Sequence, residues 1–161
     1  MKTYVLVIAI VLSSLSEGLA QADHEAIKRV LRSETEGFFK RDKAEWSNAW
    51  AHAPYIHFAA NLYGGDFMLI EGWNKLEKQF ASQFKSSKVT DKVIVQNSNY
   101  TIRQNGNMAF VAYDQTLLDS HGKTTSKESR VVEKINGQWK IINVTALTNL
   151  KNFGLAQQQK K

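Results

Sequence analysis

The 161-residue chain contains no cysteine and a single proline. Without cysteine it forms no disulfide, even in an oxidising compartment, and offers no lipid-attachment site behind an N-terminal apolar run. It also lacks an apolar stretch of the roughly twenty residues that a membrane-spanning helix needs. The formal net charge of +6 is scattered, with only short clusters at Lys28-Arg29, Lys40-Arg41 and Lys160-Lys161. A nucleic-acid surface concentrates its cations in a stripe or interleaves them with aromatics, and neither pattern is present. There is no phosphate-binding loop, no cluster of His and carboxylates suited to a metal, and no internal repeat. His24-Glu25-Ala26-Ile27-Lys28 opens like a zinc-protease helix but carries Lys where the second His is required. Ser82-Gln83-Phe84-Lys85 has a Ser-x-x-Lys spacing without its partner motifs. No cofactor is implied.

What is present starts with an export signature. Lys2 supplies a charged start, Tyr4 to Leu12 is apolar, and Gly18-Leu19-Ala20 offers small residues for cleavage. Residues 1–20 are therefore expected to be a signal peptide, leaving a periplasmic or secreted protein that has no membrane attachment once cleaved. Lys2 and Glu17 cancel, so the mature chain keeps its positive charge. Residues 21–149 make one domain, large enough to bury its own core. Residues 150–161 carry no pattern and are expected to form a flexible tail.

Asp23 to Lys40 has helical spacing through Ile27, Val30, Leu31 and Phe38. Asp42 with Glu45 reads as a capping box, starting a short helix that puts Trp46 and Trp50 on one face. Pro54 closes that helix. Tyr55 to Ala60 and Phe67 to Ile70 read as strands around a Gly64-Gly65 turn, and Trp73 to Lys85 as a third helix. Four long strand-like runs follow, at 92–104, 107–119, 123–135 and 138–149. Their turns, Asn105-Gly106, His121-Gly122 and Asn136-Gly137, predict an antiparallel meander. Asn-Gly suits a two-residue hairpin because both positions take φ > 0. Helices followed by long strands indicate an α+β domain, and strands of that length predict a strongly curled sheet with helices on its concave side.

Alternation along the final hairpin puts Arg130 on one face with Glu128 and Val132. On the next strand it puts Trp139, Ile141, Asn143 and Thr145 on one face. An ionisable pair among apolar neighbours suggests a pocket. Trp50, Tyr55, Trp73 and Tyr113 are candidate walls, and Gln115 shares a face with Ala109, Val111 and Tyr113. His57 titrates near neutral pH and is the candidate general base. The opposite face, carrying Phe110, Ala112, Ile142, Val144 and Ala146, is too apolar for open solvent and predicts a homodimer through the sheet.

The order of elements resembles the nuclear transport factor 2-like superfamily, which includes ketosteroid isomerases, SnoaL-type polyketide cyclases and scytalone dehydratase. Locally, Ser126-Lys127-Glu128-Ser129-Arg130-Val131 before Asn136-Gly137-Gln138-Trp139 resembles the association domain of calcium/calmodulin-dependent protein kinase II. That domain has a Ser-Glu-Glu-Thr-Arg-Val run before an Asp-Gly-Lys-Trp turn. Ala109-Phe110-Val111-Ala112-Tyr113 is similar to its preceding strand. The resemblance implies a cone-shaped fold with three N-terminal helices on a strongly curved, mostly antiparallel sheet. It places Arg130 facing the pocket, where a guanidinium can clamp a carboxylate. The association domain has an arginine where this chain has Gln115, which removes a positive charge. Asn143 and Thr145 match positions where many relatives have pocket polar residues, often histidines, and uncharged groups there remove the obvious acid-base candidates.

Three functions remain open. One is an exported module binding a small amphipathic or carboxylate-bearing molecule. The second is a cofactor-independent isomerase, cyclase or dehydratase, with His57 as base and Tyr113 or Arg130 stabilising an oxyanion. The third is a homo-oligomeric assembly domain with a vestigial pocket.

Overall fold

A computed structural model describes residues 2–62, 65–85, 93–119 and 122–150, with side chains from residue 21 onward. Gly64, His121 and the expected tail from 151 lie outside the described residues, as do the side chains of the expected signal segment. The first helix, α1, runs Lys2–Phe39 and continues through the stretch read as a leader. Its stripe of Ile27, Leu31, Glu34 and Thr35 is buried. Among the described residues, no helix is long and apolar enough to cross a membrane.

The end of α1 is set by a left-handed residue, Arg41, at φ 58. Asp42 N–H donates to the Gly37 carbonyl at 2.8 Å, and Arg41 N–H to the Phe38 carbonyl at 3.1 Å. This pair of bonds is a Schellman ending, with Arg where Gly is usual. The chain then starts α2, Lys43–Ala49, whose N-cap Asp42 side chain accepts from Glu45 N–H at 3.2 Å. Gly37 permits the close crossing of the two helices, since a Cβ there would lie 2.5 Å from the Trp46 nitrogen. The crossing delivers Trp46 into the core, against Trp73 at 5.3 Å and Phe84 at 4.9 Å between ring centroids.

The strands are β1 (His57–Asn61), β2 (Phe67–Glu71), β3 (Ile94–Asn105), β4 (Met108–Asp119), β5 (Gly122–Ile135) and β6 (Gln138–Thr148). Between β2 and β3 lies α3, Trp73–Phe80, shorter than expected because the chain passes into turns from Ala81. The six strands form one curled sheet in the order β2-β1-β6-β5-β4-β3. All neighbours are antiparallel except β1 and β6. Asn136 and Gly137 both take positive φ, as the β5–β6 turn requires.

One irregularity decides which residues face inward. Val131 pairs with Asn143, but its neighbour Val132 pairs with Ile141, so Ile142 is an extra residue in β6. Such a bulge reverses the facing of everything beyond it. Trp139 and Ile141 face the core, and so do Val144 and Ala146, which pair with Arg130 and Glu128. Val144 is 1% exposed. The expected inner row therefore breaks at the bulge: Asn143 and Thr145 lie on the outer face, with Val131 and Ser129. The expected outer patch keeps Phe110 and Ala112 but loses Val144 and Ala146, while Ile142 packs against the core.

Candidate functional site

Between α1 and the inner face of β4 and β5 lies a small polar island in an aromatic interior. Arg130, Glu128 and Glu34 are its buried charged side chains, the only ones buried among the described residues. Arg130 Nη1 donates to Glu128 Oε2 at 2.6 Å, and Nη2 stands 3.7 Å from Glu34 Oε2. Ser126 donates to the other oxygen of Glu128. Thr35 Oγ1 lies 3.3 Å from Glu34 Oε2 and 3.2 Å from Gln115 Oε1, joining helix to sheet. The Tyr113 ring sits beside the guanidinium, 5.8 Å from its centre, and stacks on Tyr100 at 5.2 Å.

Several donors in this interior have no acceptor among the described residues: Arg130 Nε, Tyr113 OH and Trp50 Nε1. Their residues are 3%, 3% and 2% exposed. A buried donor left unpaired costs about 1–3 kcal/mol, so the arrangement calls for an acceptor beyond the described residues, such as water or a ligand. Trp50 connects to the island through Trp46, whose ring lies 6.4 Å away and whose side chain hydrogen-bonds Glu34.

Burial pushes the Glu34 carboxyl above its ordinary value of 4.5; Arg130 opposes this, and Glu128 adds to it. Burial likewise raises the Tyr113 phenol. It works against the Arg130 charge, but Tyr113, Glu128 and Glu34 outweigh it and keep the guanidinium protonated. Because the folded protein holds the Glu34 proton more tightly than the unfolded chain, Glu34 adds stability that is fully present below pH 4.5. That contribution is lost as pH rises through the folded value. Glu34→Gln should therefore flatten the acid-to-alkaline loss of stability, with denaturation midpoints at about pH 4 and about pH 9 closer together than in the native chain. Equal pH dependence in both proteins would show that Glu34 does not bind its proton in this way.

Of the residues singled out from sequence, Tyr113, Gln115, Glu128 and Arg130 come together on this inner face, with Trp50 and Trp73 buried behind them. Three do not join them. Tyr55 is 53% exposed and donates to Glu133 Oε2 at 2.8 Å. His57 pairs with Asn143 and Glu71, so both His57 and Asn143 lie on the outer face, away from Arg130. Phe58, the next residue, is the one that packs inward, against Phe80 at 5.3 Å. A base at His57 and an oxyanion partner at Arg130 thus stand on opposite sides of the sheet. Glu34 also belongs to the island, and it falls on the same helical stripe as Ile27, Leu31 and Phe38. A carboxylate on an apolar stripe was the signal that could have found it.

No family model matches the sequence, and no curated protein matches it. Solved structures do match. The association domain of the C. elegans calcium/calmodulin-dependent protein kinase II is 22% identical, with TM-score 0.60, covering 78% of this chain and 95% of that one. A nuclear transport factor 2-like superfamily protein from Salmonella enterica is 21% identical, with TM-score 0.60, over 79% and 91% of the two chains. A nuclear transport factor 2-like protein from Shewanella oneidensis is 14% identical, with TM-score 0.61, over 78% and 98%. These likenesses extend over most of each chain and agree with the element order and the mixed sheet: the chain has the nuclear transport factor 2-like fold.

Proposed function

We propose that the chain binds a small amphipathic molecule in the interior of the cone, between α1 and the inner faces of β4 and β5. The observation that carries this reading is the set of buried donors without acceptors, at Arg130, Tyr113 and Trp50, set among large aromatics. An apolar enclosure with a few convergent polar groups is the usual form of a small-molecule site. Export follows from the same reading of residues 1–20 as a signal peptide, with the working domain beginning after Ala20. Catalysis by His57 is not proposed, because that ring lies across the sheet from the island.

The test is a thermal-shift screen against small carboxylates, steroids and polyketide-like aromatics, repeated on Tyr113→Phe. A ligand at a hundred times its dissociation constant adds about 2.7 kcal/mol, which for a domain of this size raises Tm by roughly 5–10 °C. A shift that is lost in the variant supports the site. A broad library without a single hit would refute it.

A second reading, dimerisation, rests on the outer face. Leu69, Ala59, Thr145, Ser129, Ala112 and Thr101 lie side by side across all six strands, with no charged side chain among them. Phe67 and Leu69 are 79% and 58% exposed at one end of the face, and Phe110 is 47% exposed toward the other. An uncharged row of this kind, with large apolar side chains exposed on the same face and the Lys127–Asp114 pair beside it, suits an interface, and we propose that a second copy of the chain covers it.

A further inference from the structure

We infer that the interior site selects uncharged ligands that bring a hydrogen-bond-accepting oxygen, such as a ketone, and discriminates against carboxylates through Glu128 and Glu34. This inference rests on the binding reading above and departs from the carboxylate clamp that Arg130 suggests in sequence.

The charge count in the interior decides against an anion. The buried charged side chains are one guanidinium and two carboxyls. Glu128 already occupies Arg130 Nη1 at 2.6 Å, and Glu34 stands 3.7 Å from Nη2. Whether Glu34 is protonated or ionised, the island carries no net positive charge. A ligand carboxylate would add a negative charge beside two carboxyls in a medium where charges are poorly screened. Outside the island, Lys28 and Arg32 act electrostatically on Tyr100. Lys28 is itself paired with Glu25 at 2.8 Å.

Hydrogen-bonding capacity then selects among neutral ligands. The unpaired groups Arg130 Nε and Trp50 Nε1 only donate, and Tyr113 OH can donate. What they lack is an acceptor without a full charge. A carbonyl oxygen supplies that. An ammonium group cannot, since it would meet these donors with more donors.

The experiment uses three probes of one shape and different charge: acetophenone, benzoate and benzylamine. Each is titrated into the full chain while the indole N–H resonances of its four tryptophans are followed. The Trp50 resonance is assigned from Trp50→Phe. The inference expects acetophenone to move the Trp50 signal and to bind at least about tenfold more tightly than benzoate or benzylamine. Glu128→Gln frees the guanidinium and should raise benzoate affinity relative to acetophenone by about tenfold or more. At a pH high enough to ionise Glu34, Glu34→Gln should shift the same ratio in the same direction, and it serves there if Glu128→Gln does not fold. Benzoate or benzylamine binding the native chain as tightly as acetophenone, with dependence on Tyr113, would overturn the charge inference and leave the binding site standing. A benzoate preference unmoved in both variants would overturn it as well. If no probe binds and the wider library is also silent, the interior holds water only, and both readings fall.

Discussion

Arg130→Ala is expected to destabilise the chain by about 3–5 kcal/mol, before any effect on a ligand is measured. The guanidinium is 3% exposed and is the only buried cation among the described residues. Removing it leaves Glu128 and Glu34 facing each other with no positive charge between them, and desolvated like charges are costly. The lost packing against the Tyr113 ring adds to this. Taking out both members of the close pair removes the charges together, and hydrophobic replacements of similar volume are often neutral. Arg130→Met combined with Glu128→Met should therefore recover most of the stability that Arg130→Ala loses. Urea denaturation of the two variants beside the native chain measures this. If the double replacement is as unstable as the single one, the loss comes from packing rather than from stranded charge. The same result makes Arg130→Ala a poor control for ligand binding, which is why Tyr113→Phe serves in that role.

The second large effect separates the two faces of the sheet. On the alternation read from sequence, Val144 belongs to the outer patch and a glutamate there should split a dimer. In the fold, Val144 is 1% exposed and lies beside Arg130 and Phe58 on the inner face. Val144→Glu should instead cost at least about 3 kcal/mol, because it places a third carboxyl in an interior without a free cation. Leu69→Glu is the matched outer change. At 58% exposure it should alter monomer stability by no more than about 0.5 kcal/mol while shifting a dimer toward monomer in sedimentation. A Val144→Glu protein that melts like the native chain would mean that the β6 bulge is misplaced. An unchanged oligomer in Leu69→Glu would move the interface off this face.

These outcomes turn on features of unequal visibility in the sequence. The strands and helices were legible because their signals are local. Asn136-Gly137 takes positive φ at both positions, so the final hairpin was readable from two residues. The Asp42 cap was readable from its spacing to Glu45, and the aromatic stripe from its four-residue period. The Arg130–Glu128 pair was readable because i and i+2 share a face wherever a strand is regular. The facing of β6 beyond Ile141 was not readable. A bulge adds one residue to the count without changing composition, and Ile142 resembles any other strand residue.

His57 was misread for a related reason. Its strand is five residues long, and alternation alone does not say which of two faces is the core. That choice came from β1 lying parallel to β6, a contact between segments more than eighty residues apart. Glu34 joined the island through the same kind of contact, helix α1 crossing the sheet at Arg130.

By itself, the sequence determined an α+β domain with a four-stranded meander, one buried ion pair and no thiol chemistry. Those properties depend on residues a few positions apart, where backbone geometry leaves little choice. Only the tertiary structure decided which side of each strand is interior, that a second carboxyl balances Arg130, and that Trp50 and Tyr113 are left with donors to satisfy. Those properties depend on what a side chain meets after the chain has closed on itself, and neighbours in sequence do not carry that information.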